Sequence, residues 1–263
     1  MLPGPRATPF TSVLLLALAA TTMFLRAETD DSAVLRWTST NLVNLDHHPL
    51  SALVTSAFVT EGSLGVDFVL LALVCAALER RSTTARTALV LTAGHVIASL
   101  VTEGAVRIAI ALHTDPVSAT RQVDVGYSYV LYTALGAVLR FVPGRWRWLG
   151  LVAAVGYLGV PFLGDPGMTT SGHLLCLAIG VLSWPYLVPA RYPAERVDRR
   201  PVPVQRLGLA DAGRARIGAL AALAIVGVLT ACTPGHYLFG PNHHQAQNVT
   251  APQPSRTAAL PGT

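Results

Sequence analysis

The stretch LGVDFVLLALVCAALERR, residues 64–81, decides the class of the fold. From Leu64 to Leu78 it carries a single charged side chain, Asp67, and it closes on Glu79, Arg80 and Arg81. An apolar run that ends abruptly in arginines is the pattern of a helix leaving the hydrocarbon of a bilayer at a charged, water-facing end. Runs of the same kind lie at Thr11 to Leu25, Thr87 to Val101, Gly126 to Val142, Trp148 to Phe162, Ser171 to Val188 and Ile217 to Cys232. Each is short against the ~20 residues a span needs, but each is extendable by its flanks. The sequence therefore predicts seven spans. A weaker stretch, Ala105 to Leu112, is interrupted by Arg107 and is too short to cross, so it is assigned to an outer connection.

Composition agrees with this reading. The 263 residues are 52% hydrophobic and 13% charged, with a mean hydropathy of +0.49, whereas soluble domains carry about 25% charge. The expected fold is an all-α polytopic membrane helix bundle, with lipid as its first partner. Every one of the 19 basic residues is arginine, and the net charge of +5 would suit nucleic acid if the arginines shared a face. Instead they sit between apolar runs, which excludes nucleic acid as the partner. They gather at Arg80, Arg81 and Arg86, at Arg140, Arg145 and Arg147, and from Arg191 to Arg216, while the alternate loops hold few. The positive-inside rule then puts the N-terminus in the cytoplasm of a multi-pass protein of the plasma (cytoplasmic) membrane.

The organisation expected is a six-span core over residues 1–190, an Arg/Pro-rich cytoplasmic linker over 191–216, a seventh span over 217–232, and a polar, disordered extracytoplasmic tail over 233–263. The first run has an alternative as a secretory signal, since Arg6 precedes its apolar core, but Leu25 is a poor residue where a small one is wanted before cleavage. Leu229 to Cys232 resembles a lipoprotein box in the wrong place, at the end of the last run. Cys75, Cys176 and Cys232 lie in or beside apolar stretches without ligand spacing, and read as packing residues. His243 and His244 are too few for a metal site, and no cofactor is called for.

Ionisable groups within spans cost ~2.5–3.5 kcal/mol each at the bilayer centre on insertion scales, so each raises a functional question. Asp67, Asp124, Ser128 and His173 lie near outer ends, where water reaches. His95 lies about mid-span. Glu79 and Glu103 fall at span ends, where solvation is the expected state. The fourth run opens as Gly126-Tyr127-Ser128-Tyr129, and the sixth carries His173 beside Gly172, Cys176 and Gly180, a small-residue stripe that admits a close neighbouring helix. A serine and a histidine brought together form the minimal nucleophile and general base. The alternative is structural, with Ser128 capping its helix and His173 bonded to a nearby carbonyl.

Three segments in order resemble the rhomboid intramembrane serine proteases, over about Leu50 to Leu187. Gly126 to Gly136 (GYSYVLYTALG) is similar to the family's serine helix, with Ser128 on the nucleophile and Tyr132 one turn on. Gly172 to Gly180 (GHLLCLAIG) looks like its histidine helix, with His173 on the base. Leu53 to Phe58, followed by the run ending at Glu79 and Arg80, resembles the first outer loop and second helix. The resemblance implies a rhomboid-like six-span core and a Ser128/His173 dyad supported by Tyr132 and Gly126, with Tyr132 stacked on the imidazole. It places Asp67 and Ser63 where the family has an asparagine and a histidine of the oxyanion region, and Tyr129 where a glycine normally follows the serine.

The function so implied is an intramembrane serine endopeptidase acting on single-span membrane proteins near their extracytoplasmic ends. The departures at Asp67 and Tyr129 favour the alternative, a catalytically inactive relative that binds transmembrane clients in the same cleft. A third class, a transporter or proton relay using Asp67, Glu79, His95 and Glu103, is opposed by the order of the motifs.

Overall fold

The structure is a computed structural model that describes residues 6–27, 31–60, 65–164 and 166–187. The predicted seventh run at 217–232, the 191–216 linker, the 233–263 tail and Ser63 lie outside the described residues. Those described are helical and form no strand: α1 (Pro9–Ala27), α2 (Asp31–Thr38), α3 (Leu42–His47), α4 (Pro49–Thr55), α5 (Val66–Arg81), α6 (Thr84–Ala111), α7 (Ser128–Val138), α8 (Arg145–Gly164) and α9 (Met168–Leu182). Short 3-10 turns at Ser56–Phe58, Val117–Arg121 and Leu139–Phe141 join them. The first six predicted runs thus each coincide with a helix. Two of these, α6 and α8, are long and apolar enough on their own to cross a bilayer.

The interior is built from small and aliphatic residues, among them Leu18, Leu71, Cys75, Leu78, Leu91, Ala98, Ala134, Ala137 and Cys176. The outer faces carry large apolar side chains that a water-facing surface would not hold in such number: Leu16 and Met23 on α1, Leu89 and Val101 on α6, Val152, Val160 and Leu163 on α8, and Leu182 on α9. Cys75 and Cys176 are fully buried free thiols, as their apolar surroundings predict.

Two expectations need correction. The Ala105 to Leu112 stretch is not a connection: it continues α6, whose 28 residues make a rod ~42 Å long against ~30 Å of hydrocarbon. The charges that interrupt the run are dealt with sideways. Arg107 reaches out to Asp46 of α3 at 2.5 and 2.7 Å, and Glu103 turns inward, 1% exposed.

Glu79 is likewise not solvated at a span end. It is 4% exposed and accepts from the amides of Phe10 (3.0 Å) and Thr11 (2.9 Å) and from the hydroxyls of Thr11 (2.8 Å) and Thr84 (2.8 Å). The first amides of a helix have no partner within it, and a carboxylate there also meets the positive end of the helix dipole. Glu79 therefore ties α1 to the junction of α5 and α6. At its other end α1 is held by the Thr21 hydroxyl, which donates to the Phe58 carbonyl, and Leu18 between them is fully buried. Glu79→Ala is expected to lower stability by roughly 2–3 kcal/mol, the loss of a cap plus stranded buried donors. Proteolysis between α1 and α2 should accelerate with it, and unchanged cleavage there would show that α1 is held by its apolar face alone.

Candidate functional site

The tightest helix contact in the core is between α7 and α9, and glycine makes it possible. A Cβ on Gly180 would strike the Thr133 carbonyl oxygen and lie 2.8 Å from the Ala137 nitrogen. One on Gly136 would strike the Leu177 carbonyl oxygen. The small-residue stripe of α9 is therefore the seat of α7, and Cys176 is buried in the same seam with Tyr129 and Tyr132.

This contact brings His173 onto the serine helix. Its ring lies 4.4 Å from that of Tyr132, tilted by 47°, and 5.9 Å from that of Tyr129, edge to face at 89°. His173 is 4% exposed, so two tyrosines and the helix seam fix the imidazole. Tyr129 is held closely in turn. Its hydroxyl and ring lie so near Gly172 that a Cβ there would sit 2.5 Å from Cζ. Ser128 is the first residue of α7 and half-buried, and Tyr127, which precedes it, provides no side-chain cap. Ser128 does not cap its own helix, and no hydrogen bond joins it to His173 among the described residues. Such bonds are commonly long in unliganded enzymes and tighten with substrate.

Gly126 turns the chain into α7 with φ +129°, a conformation that side-chain-bearing residues rarely adopt. Its amide donates to the Ser56 carbonyl at 2.8 Å. Asp124, two residues earlier, accepts from the Thr40 amide at 3.0 Å through its carbonyl and from the Thr40 hydroxyl at 3.0 Å through its carboxylate. The Asp124 amide donates to Ser39 Oγ at 2.8 Å. The segment between α2 and α3 is thus stitched to the chain that leads into α7. Asn44 braces that loop, giving its side-chain amide to the carbonyls of Arg36 (2.7 Å), Trp37 (3.1 Å) and Ser39 (2.8 Å).

Asp67 sits half-buried in the first turn of α5, a helix packed on α7. The structure therefore brings Tyr132 and His173 together across the α7–α9 seam, with Ser128 opening α7, Gly126 two residues before it, and Asp67 in the first turn of α5.

Sequence reasoning placed Glu103 at a solvated span end and overlooked Ser56 and the Ser39/Thr40 pair. Glu103 is instead buried on α6, 1% exposed, with buried Ser99 one turn away. Small polar residues in a loop carry no periodic signal, and the clue available was the adjacency of Ser39, Thr40 and Asn41 at the end of an apolar-poor segment.

A family model described as rhomboid-like protein matches residues 5–193. No curated protein and no solved structure matches the chain.

Proposed function

Because the chain belongs to the rhomboid-like protein family and is a membrane protein, we propose that it is an intramembrane serine endopeptidase in which Ser128 is the nucleophile and His173 the general base. The observation that carries the reading is the clamp on His173: Tyr132, one turn below Ser128, lies 4.4 Å from the imidazole across the closest helix seam of the core. In the reaction, imidazole takes the Ser128 proton as Oγ attacks the substrate carbonyl. It then returns the proton to the leaving amine, and water hydrolyses the acyl-enzyme by the same route. The first-turn amides of α7, which Tyr127 does not cap with its side chain, are the donors that would face the developing oxyanion.

The substrates are single-span membrane proteins cut near their extracytoplasmic ends. The protein is multi-pass, with residues 1–190 as a six-span core, 191–216 a cytoplasmic linker, 217–232 a seventh span, 233–263 an outer tail, and the N-terminus in the cytoplasm. Covalent labelling by a fluorophosphonate or isocoumarin probe tests the proposal. Wild type should label, while Ser128→Ala and His173→Ala should not.

A second reading, a non-catalytic protein that binds transmembrane clients, is favoured by Tyr129, whose ring fills the face of Gly172 where the family's glycine would leave space, and by the carboxylate at Asp67. Absence of labelling in folded wild type, together with retention of single-span clients, would select it.

A further inference from the structure

His95 lies at the middle of α6, 4% exposed, and takes no part in the dyad. Its Nε2 is 3.1 Å from the Leu53 carbonyl oxygen and 3.1 Å from Ser56 Oγ. A carbonyl only accepts, so Nε2 carries the hydrogen and Ser56 Oγ shares it. Leu53 belongs to α4 and Ser56 to the 3-10 turn that continues it, so one imidazole grips two points of the helical turn that ends α4. The carbonyl of Ser56 in turn accepts the Gly126 amide at 2.8 Å, two residues before Ser128. The other side of the same segment is held by Ser39 and Thr40 through Asp124. A path of four groups thus runs from the buried imidazole to the backbone that launches the serine helix.

We propose that His95 is a positioning residue for Ser128: by fixing Leu53 and Ser56 it sets the carbonyl that holds Gly126, and so the place and direction in which α7 begins. This deepens the protease reading and rests on Ser128 being the reacting group. A buried histidine on α6 that merely filled space would be replaceable by an apolar side chain of similar size. One that donates from Nε2 is replaceable by glutamine, whose amide nitrogen reaches the same distance from the backbone.

The test compares His95→Leu and His95→Gln in the full chain, with two readouts. Amide hydrogen exchange over residues 124–128 reports the hold on Gly126 directly, with a peptide of α8 as the internal reference. The rate of fluorophosphonate labelling reports Ser128. In His95→Leu, exchange at Gly126 should accelerate about tenfold, as for loss of one well-made buried bond, and labelling should slow by a similar factor. His95→Gln should restore most of both. Exchange at Gly126 that stays at the wild-type rate in folded His95→Leu overturns the proposal, and so does faster exchange with an unaltered labelling rate. If wild type does not label but exchange behaves as expected, the protease reading fails while the hold of His95 on the start of α7 stands. Should His95→Leu not fold, His95→Asn, whose amide is too short to reach Leu53, takes its place against His95→Gln.

Discussion

Gly180→Val is expected to destabilise the protein by at least about 3 kcal/mol and to separate His173 from the serine helix. Overpacking a core usually costs ~1–3 kcal/mol because neighbouring side chains rotate away. Here the obstacles are backbone: the Thr133 carbonyl oxygen, the Ala137 nitrogen at 2.8 Å and the Gly136 Cα at 3.0 Å. No rotamer relieves such a collision, so α7 and α9 must part. The Tyr132 ring is held on His173 by that same contact, and probe labelling should disappear even where the variant still purifies. Gly159→Val on α8 is the control, since a Cβ there meets nothing within 4 Å and the change should stay within about 0.5 kcal/mol. Equal unfolding midpoints for the two variants in detergent would show that the seam is looser than described.

The same seam explains what was legible in the sequence. Gly172, Cys176 and Gly180 at four-residue spacing announce a close helix approach, and the motif around Ser128 names the helix that makes it. Apolar runs located six helices because lipid and core both select for apolar residues. What stayed hidden was direction around the helix axis. Glu103 and Arg107 stand four apart on α6, and a hydropathy reading treats both as interruptions. In the structure one faces the bundle and the other pairs with Asp46 outside, so the helix runs on. Glu79 was misread for a related reason: its partners are the amides of Phe10 and Thr11, some seventy residues away in sequence, and no local pattern records them. His95 was conspicuous as a mid-span histidine, yet its purpose depends on Leu53 and Ser56, which the sequence places in a loop without evident structure. Tyr129 was read as a departure from the family. In the structure it is a packing element, wedged against Gly172 and edge-on to His173.

Asp67→Asn is expected to raise the rate of Ser128-dependent cleavage, by as much as ~100-fold, because one well-placed oxyanion donor contributes that much or more in serine hydrolases. Asp67 occupies the first turn of α5, which packs on α7, the helix that Ser128 opens, and on the protease reading its side chain is placed to meet the negative charge that develops at Ser128. A carboxylate there repels that charge, while the isosteric amide offers a donor in the same volume. The effect on stability should run the other way. An acidic residue in the first turn of a helix is favoured by the dipole by ~0.3–1 kcal/mol, and Gly65 before it supplies no side-chain cap, so the asparagine variant should be slightly less stable than wild type. Faster cleavage by a less stable protein excludes better folding as the cause, and the gain should vanish in the Ser128→Ala background. A folded Asp67→Asn that labels no faster than wild type would remove Asp67 from the oxyanion region. If neither form reacts while both retain single-span clients, the carboxylate is one of the features that turned a protease scaffold into a binding cleft, and the client-binding reading takes precedence.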